Sequence, residues 1–265
     1  MPEFQLGTMQ GALAILHNKG VRFATVIDLG CADGNFYLNC FDQGLLPGAT
    51  CVNVDANPLY EPSLMEIRQV MGGHYLIAAV SDSEGEREMH AGSHAYWASM
   101  SPLDSAYWSG SHNRPNQAMK VPAITLDGLV RKFALEPPFL LKLDLQGHEL
   151  NALRGGIGML AHTHAIICET SHDALTPISE FLAGQNFGVF DLTEMSRLSD
   201  GTLVELYPIF LNRGLDHIRA KDPWDAAQNE AIIANMNRRR QSILEGNARV
   251  LAKYRTGTPQ LNVRA

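Results

Sequence analysis

The sequence predicts an α/β domain on a mostly parallel sheet, and three observations carry that expectation. Apolar runs rich in Val, Ile and Leu alternate with helical patterns through the first two thirds of the chain, as parallel strands joined by crossover helices require. The stretch VIDLGCADGNFYLN, residues 26 to 39, passes from an apolar run through two glycines four apart into a helical pattern. A chain of 265 residues with 45% hydrophobic content can bury a full core within one large domain.

Taken in order, residues 8 to 18, TMQGALAILHN, read as an amphipathic helix. Strands follow at Thr25 to Leu29, Thr50 to Asp55, Tyr75 to Val80, Leu140 to Leu145 and Ala165 to Glu169, each a short apolar run bounded by turn formers. Between them, Asn35 to Gln43, Ser63 to Met71, Leu126 to Phe133, Glu149 to Met159 and Ile178 to Ala183 carry helical periodicity. Two more strands fall near Gly188 to Leu192 and Leu203 to Leu211.

The stretch from Asp82 to Val121 is polar, rich in Gly, Ser and His, and shows no sustained period, so it reads as a long loop insertion at about 82 to 120. Its aromatics Tyr96, Trp97, Tyr107 and Trp108 either pin the loop to the body or stack on an acceptor. Beyond Pro223 the chain reads as a long helix weakened at Gly246. The expected organisation is a domain over residues 1 to 214 and a C-terminal helical extension over 215 to 265, which packs on the domain or forms a homo-oligomer.

Composition narrows the function classes. A net charge of -7 and a pI near 5.8 argue against a broad footprint for nucleic acid or an anionic membrane, and the basic run Arg238, Arg239 and Arg240 reads as a solvated helix face. No window is apolar for the roughly 18 residues of a membrane span, and the N-terminus lacks a signal pattern. Cys31, Cys40, Cys51 and Cys168 have no CxxC spacing and read as reduced, buried thiols. The expectation is a soluble, cytoplasmic protein with no nucleic-acid partner and no membrane span.

The glycine turn points to a nucleoside ligand. A strand ending at Asp28, the loop GCADG and a helix from Asn35 gather backbone N–H groups at the carboxyl edge of the sheet, where open α/β sheets bind ligands. Gly30 and Gly34 permit close backbone approach, and Asp55, at the end of the next strand, stands where an acid reaches a ribose diol. The GxxxG spacing lacks the third glycine of GxGxxG, which weakens a pyrophosphate-binding reading. S-adenosylmethionine, cationic and free of phosphate, suits the acidity of Asp28 and Asp33 better.

The series VIDLGCADG, VNVDANP, AAVSDSEG, ITLDGL, LLKLDLQGHELNALRGG and IICET, in that order over about residues 20 to 195, resembles the FkbM family of S-adenosylmethionine-dependent methyltransferases. The resemblance implies the class I methyltransferase fold: a Rossmann-like sheet of seven mostly parallel strands, the last antiparallel, with helices on both faces. It also implies O-methylation of a hydroxyl on a sugar, glycan or glycosylated natural product. The family often has Asn-Gly where Asp33 and Gly34 stand, and Glu-Pro where Asp55 and Ala56 stand. The cofactor residues expected are Asp28, Gly30, Cys31, Ala32, Asp33, Gly34, Asn35, Phe36, Asp55, Ala56, Asn57, Val80, Ser81 and Asp144.

On the acceptor side, alternation places Lys142 and Asp144 on one strand face and Leu141, Leu143 and Leu145 on the other. Methyl transfer from a sulfonium needs an aligned oxygen nucleophile and a group to take its proton. Asp144, His148, Glu169 and His172 are the candidates, with Asp144 either orienting the acceptor or holding the methionine portion of the cofactor. An acid at Glu149 is expected from the helix dipole alone. Asp144 and Glu169 are placed like metal carboxylates, but two ligands make an incomplete set, and no metal is assigned. His90, His94, His162 and His164 read as surface or capping residues.

Two alternatives stand beside the methyltransferase reading. One is a NAD-dependent oxidoreductase or epimerase, which the absent third glycine and absent Tyr-x-x-x-Lys pair disfavour. The other is a non-catalytic cofactor-binding assembly protein.

Overall fold

The computed structural model describes residues 4–91, 98–100, 117–218 and 226–255. The chain divides into two units, Met1–Ile218 and Arg219–Ala265. In the first, chain order runs α1 (Met9–Asn18), β1 (Thr25–Leu29), α2 (Asn35–Asp42), β2 (Thr50–Asp55), α3 (Glu61–Met71), β3 (His74–Ile77), β4 (Ala79–Val80), β5 (Gly85–Ala91) and β6 (Ala98–Ser99). It continues with β7 (Gln117–Ile124), α4 (Leu126–Phe133), β8 (Phe139–Leu143), α5 (Glu149–Arg154), α6 (Ile157–Leu160), β9 (Thr163–Cys168), β10 (Thr170–Ser171), α7 (Leu175–Gly184), β11 (Phe187–Arg197) and β12 (Leu203–Asn212). The described part of the second unit is one helix, α8 (Ala226–Arg255), with Ile233, Met236, Ile243 and Leu244 exposed.

The main sheet has the order β3-β2-β1-β8-β9-β12-β11, and β10 pairs with β12 on the β9 side. Strands β3 through β9 run parallel to their neighbours, whereas β12 is antiparallel to both β9 and β11. This is the class I methyltransferase sheet. Strands β1 and β8 are buried along their whole length, as a sheet covered on both faces demands. One core packs Ile27, Val52, Leu141, Ile166 and Phe210 beneath α4, α5 and α7; the other packs Val26, Cys51, Leu140 and Ile167 against α1 and α2.

Three sequence expectations are corrected. The predicted loop at 82 to 120 contains β5, β6 and β7, which join β4 in a second sheet of order β4-β7-β5-β6. Glu86, Arg87 and Glu88 hid the period of β5, and Pro122 argued against β7, yet Met89, Val121 and Ala123 bury one face of that sheet. Tyr96, Trp97, Tyr107 and Trp108 lie outside the described residues. The run Tyr75 to Val80 splits between the two sheets at Ala78. The helix predicted over 149 to 159 is interrupted at Gly155 and Gly156, two glycines packed so closely that a Cβ on Gly155 would collide with the main-chain oxygen of Ser81 and one on Gly156 with Leu126.

Candidate active site

The carboxyl ends of β1, β2, β8 and β9 converge on a cavity of about 250 Å³. Its first wall is backbone. Gly30, with φ +66°, donates its N–H to Val54 O at 2.8 Å, and a Cβ there would collide with the main-chain oxygen of Asp144. Only glycine lets the β1 turn pass so close to β8. Asp55 ends β2 and fastens two loops: Oδ2 accepts from Ala32 N–H at 2.9 Å and Oδ1 from Asn57 N–H at 2.8 Å. Burial raises the Asp55 pKa, and those two N–H groups partly offset the rise.

Behind this wall lies a buried charge chain. Asp28 and Lys142 are register partners on adjacent strands, and Lys142 Nζ stands 3.3 Å from Asp28 Oδ1 and 3.3 Å from Asp144 Oδ2. The ammonium is a Coulombic neighbour of Asp28 without hydrogen-bond angles, so both Asp28 oxygens are buried with no hydrogen-bond partner. Burial pushes Asp28 up to about 6, against the lowering effect of Lys142. Burial also opposes the Lys142 charge, but Asp28 and Asp144 outweigh it and raise its pKa.

The opposite wall is built from side chains. Asp144 follows β8 and Glu169 follows β9; Gln146 Nε2 donates to Asp144 Oδ1 at 2.9 Å and to Glu169 Oε2 at 2.8 Å. The Tyr207 hydroxyl, from β12, lies 3.0 Å from Asp144 Oδ2 and 3.3 Å from Glu169 Oε1. Burial opposes ionisation of Asp144, yet Lys142 and hydrogen bonds from its neighbours hold its pKa below the usual value. Glu169 is driven well above the ordinary glutamate range, first by burial and then by the Asp144 charge. The two neighbouring carboxyl groups are thereby driven apart in acidity, Asp144 downward and Glu169 upward, as adjacent acids in a dry site are.

The loop bearing Gln146 is fixed from beneath. Gln146 and Gly147 have φ +52° and +94°, and Glu149 Oε1 accepts the N–H groups of Leu145 at 2.8 Å and Gly147 at 3.1 Å. Glu149, expected only to complement the helix dipole, is buried and ties down the site loop; burial raises its pKa.

Of the expected residues, Gly30, Ala32, Asp55, Ala56, Asn57, Val80, Asp144 and Glu169 line the cavity. The others do not. Asp28 and Phe36 lie beneath the turn around Lys142, whose Nζ is 5.9 Å from the Phe36 ring centroid. Cys31 joins the apolar cluster of Leu64 and Ile67, Gly34 caps α2, Asp33 accepts from Ser63 at the surface, and Asn35 accepts from Asn39. Ser81 Oγ meets His148 Nε2 at 3.1 Å, outside the cavity, and burial lowers the His148 pKa. His172 is exposed beside Asp173. Among the described residues no group of three or more His, Cys, Asp and Glu is arranged to hold a metal ion.

Sequence reading missed Gln146, Glu205 and Tyr207, all of which line the cavity. Glu205 and Tyr207 alternate on one face of β12, and that period-2 polar pair inside an apolar strand was the available signal.

A mostly parallel sheet with one antiparallel strand, whose strand ends hold a glycine turn, a buried acid at Asp55 and a buried acid pair, is consistent with the class of S-adenosylmethionine-dependent methyltransferases. The Methyltransferase FkbM domain family matches residues 28–197, and the chain belongs to that family. The NAD-dependent reading is thereby set aside. No curated protein matches the sequence.

Similar solved structures include a precorrin-6y C5,15-methyltransferase from Geobacter metallireducens, 12% identical, covering 79% of this chain and 93% of that one with TM-score 0.40. An rRNA methylase from Streptococcus thermophilus is 10% identical over 76% and 93%, with TM-score 0.39. The 23S rRNA methyltransferase ErmE is 11% identical over 86% and 75%, with TM-score 0.37. The expectation that excluded nucleic acid is corrected on this finding: RNA methyltransferases stand among the similar structures, and a net charge of -7 does not exclude an RNA acceptor. Among the described residues no helix is long and apolar enough to cross a membrane.

Proposed function

We propose that the protein methylates a hydroxyl oxygen of a sugar, glycan or glycosylated natural product. The observation that carries this reading is the Asp144 and Glu169 pair on the cavity wall, two neighbouring carboxyl groups of which Glu169 has its pKa raised and, once ionised, can take the proton of an alcohol. When bound, S-adenosylmethionine supplies an electrophilic methyl group. The cavity suits a cationic nucleoside, since the Asp55 and Asp144 carboxylates line it and no Lys, Arg or His does among the described residues. Gly30, Ala32, Ala56, Asn57 and Val80 would hold the cofactor, with Asp55 on its ribose.

Asp144 and Glu169 would orient the acceptor oxygen and take its proton, while Tyr207 and Gln146 keep the two carboxyl groups in register. A base so placed contributes about 10² to 10⁴ in rate. His148 and His172 have no part in this mechanism, since neither lines the cavity. The four free cysteines are all buried, which supports a reducing compartment such as the cytoplasm.

The test is methyl transfer from isotopically labelled S-adenosylmethionine to a panel of sugars and glycosides, with the methylated atom located by NMR. Label on oxygen supports the reading; label on nitrogen or carbon defeats it.

A further inference from the structure

We propose that Glu205 selects acceptors that carry a protonated amine close to the hydroxyl being methylated. The proposal rests on the hydroxyl-methylating reading above and adds the charge of the substrate.

Four carboxylates line the cavity, and three of them are already engaged. Asp55 holds the N–H groups of Ala32 and Asn57. Asp144 receives Lys142, Gln146 and Tyr207, and Glu169 receives Gln146 and Tyr207. The Glu205 carboxylate, half-buried on the same wall, has neither a hydrogen bond nor an ion pair among the described residues. A carboxylate on a cavity wall with no cation beside it among the described residues can accept a charge-assisted hydrogen bond from an ammonium.

Geometry favours the acceptor over the cofactor as the source of that cation. Glu205 stands two residues before Tyr207 on β12, so the two side chains leave the same strand face with their Cα atoms roughly 7 Å apart. It pairs in register with Ser171 and Ser196, on the β10 and β11 side, away from the β1 and β2 turns. The site charge agrees. Asp28, Asp55, Asp144 and Glu205 outnumber Lys142 and the single net positive charge of the cofactor, which leaves an anionic surplus. An amino sugar reduces it, a neutral sugar leaves it, and a sugar phosphate is repelled.

The test is calorimetric titration of the full chain, loaded with S-adenosylhomocysteine, with glucosamine, glucose and glucose phosphate, in wild type, Glu205→Gln and Glu205→Asp. Glucosamine should bind about tenfold more tightly than glucose, as one charge-assisted hydrogen bond provides, and glucose phosphate most weakly. Glu205→Gln should bring glucosamine and glucose within twofold, Glu205→Asp should restore part of the preference, and both should keep the wild-type melting temperature and S-adenosylhomocysteine affinity. Equal binding of the two sugars to wild type, preference for the phosphate, or binding of none of the three overturns the proposal. So does a loss of S-adenosylhomocysteine affinity in a Glu205→Gln protein that melts normally, since the carboxylate would then serve the cofactor. NMR of the methylated product separates the two readings: methyl on nitrogen defeats the hydroxyl reading, whereas oxygen methylation without charge preference defeats only this one.

Discussion

The two walls of the cavity are made in different ways. On the β1 and β2 side the polar work is done by backbone: Gly30 passes against Asp144, and Asp55 spends both oxygens on main-chain N–H groups. On the β8, β9 and β12 side it is done by side chains, with Asp144, Gln146, Glu169 and Tyr207 hydrogen-bonded in one cluster. Backbone sites tolerate few sequences, whereas side-chain clusters can be refitted residue by residue. The first wall is suited to an invariant ligand and the second to a changing one.

Substitutions on the two walls should therefore fail in different measurements. The largest effect is expected from Gly30→Ala, whose Cβ must displace the Asp144 main chain at a positive φ; a loss of several kcal/mol in unfolding free energy and of S-adenosylhomocysteine binding should follow. Unfolding curves and calorimetry read both, and a normally stable variant would mean that the turn is slack.

Next in size, Glu169→Gln should lower kcat about 10²-fold while leaving S-adenosylhomocysteine affinity within twofold. The pH profile sharpens this. The Glu169 pKa is raised, so the pair loses its proton only as pH climbs above the ordinary glutamate range, and the rate should rise with pH through that ionisation. In Glu169→Gln that limb should vanish; its persistence would assign the proton to another group.

Asp55→Ala should weaken S-adenosylhomocysteine binding about tenfold to fiftyfold, because the N–H groups of Ala32 and Asn57 lose their acceptor, while kcat at saturating cofactor changes little. A change in kcat alone would erase the contrast between the walls. The smallest effect belongs to Tyr207→Phe. Losing one hydroxyl that bridges the acid pair should reduce kcat about fivefold to tenfold with unchanged cofactor affinity.

The same contrast explains what the sequence disclosed. Strands β1, β2, β8 and β9 are short apolar runs buried on both faces, and Asp28, Asp55, Asp144 and Glu169 sit where those runs stop, so local pattern found them. The glycine turn was legible because its backbone constraint is written in residue type. Tyr207 and Glu205 were not, because they reach the site through antiparallel pairing of β12 with β9, 63 residues after Asp144 in the case of Tyr207. Strand β5 escaped because Lys120 and Glu86 form an ion pair at 2.9 Å on its exposed face, and charge on both strands reads as loop. Asp28 was placed in the pocket by its position on β1, but its register with Lys142 turns it into the interior.

Glu149 holds the N–H groups of Leu145 and Gly147 on one carboxylate oxygen. By fastening a loop that would otherwise sample many backbone states, it moves the entropy cost of aligning Gln146 from each encounter with a substrate to the single event of folding. Dipoles fixed in that way need no reorganisation as charge shifts during transfer. A residue that touches no reactant thus sets how much of the binding energy is left for chemistry.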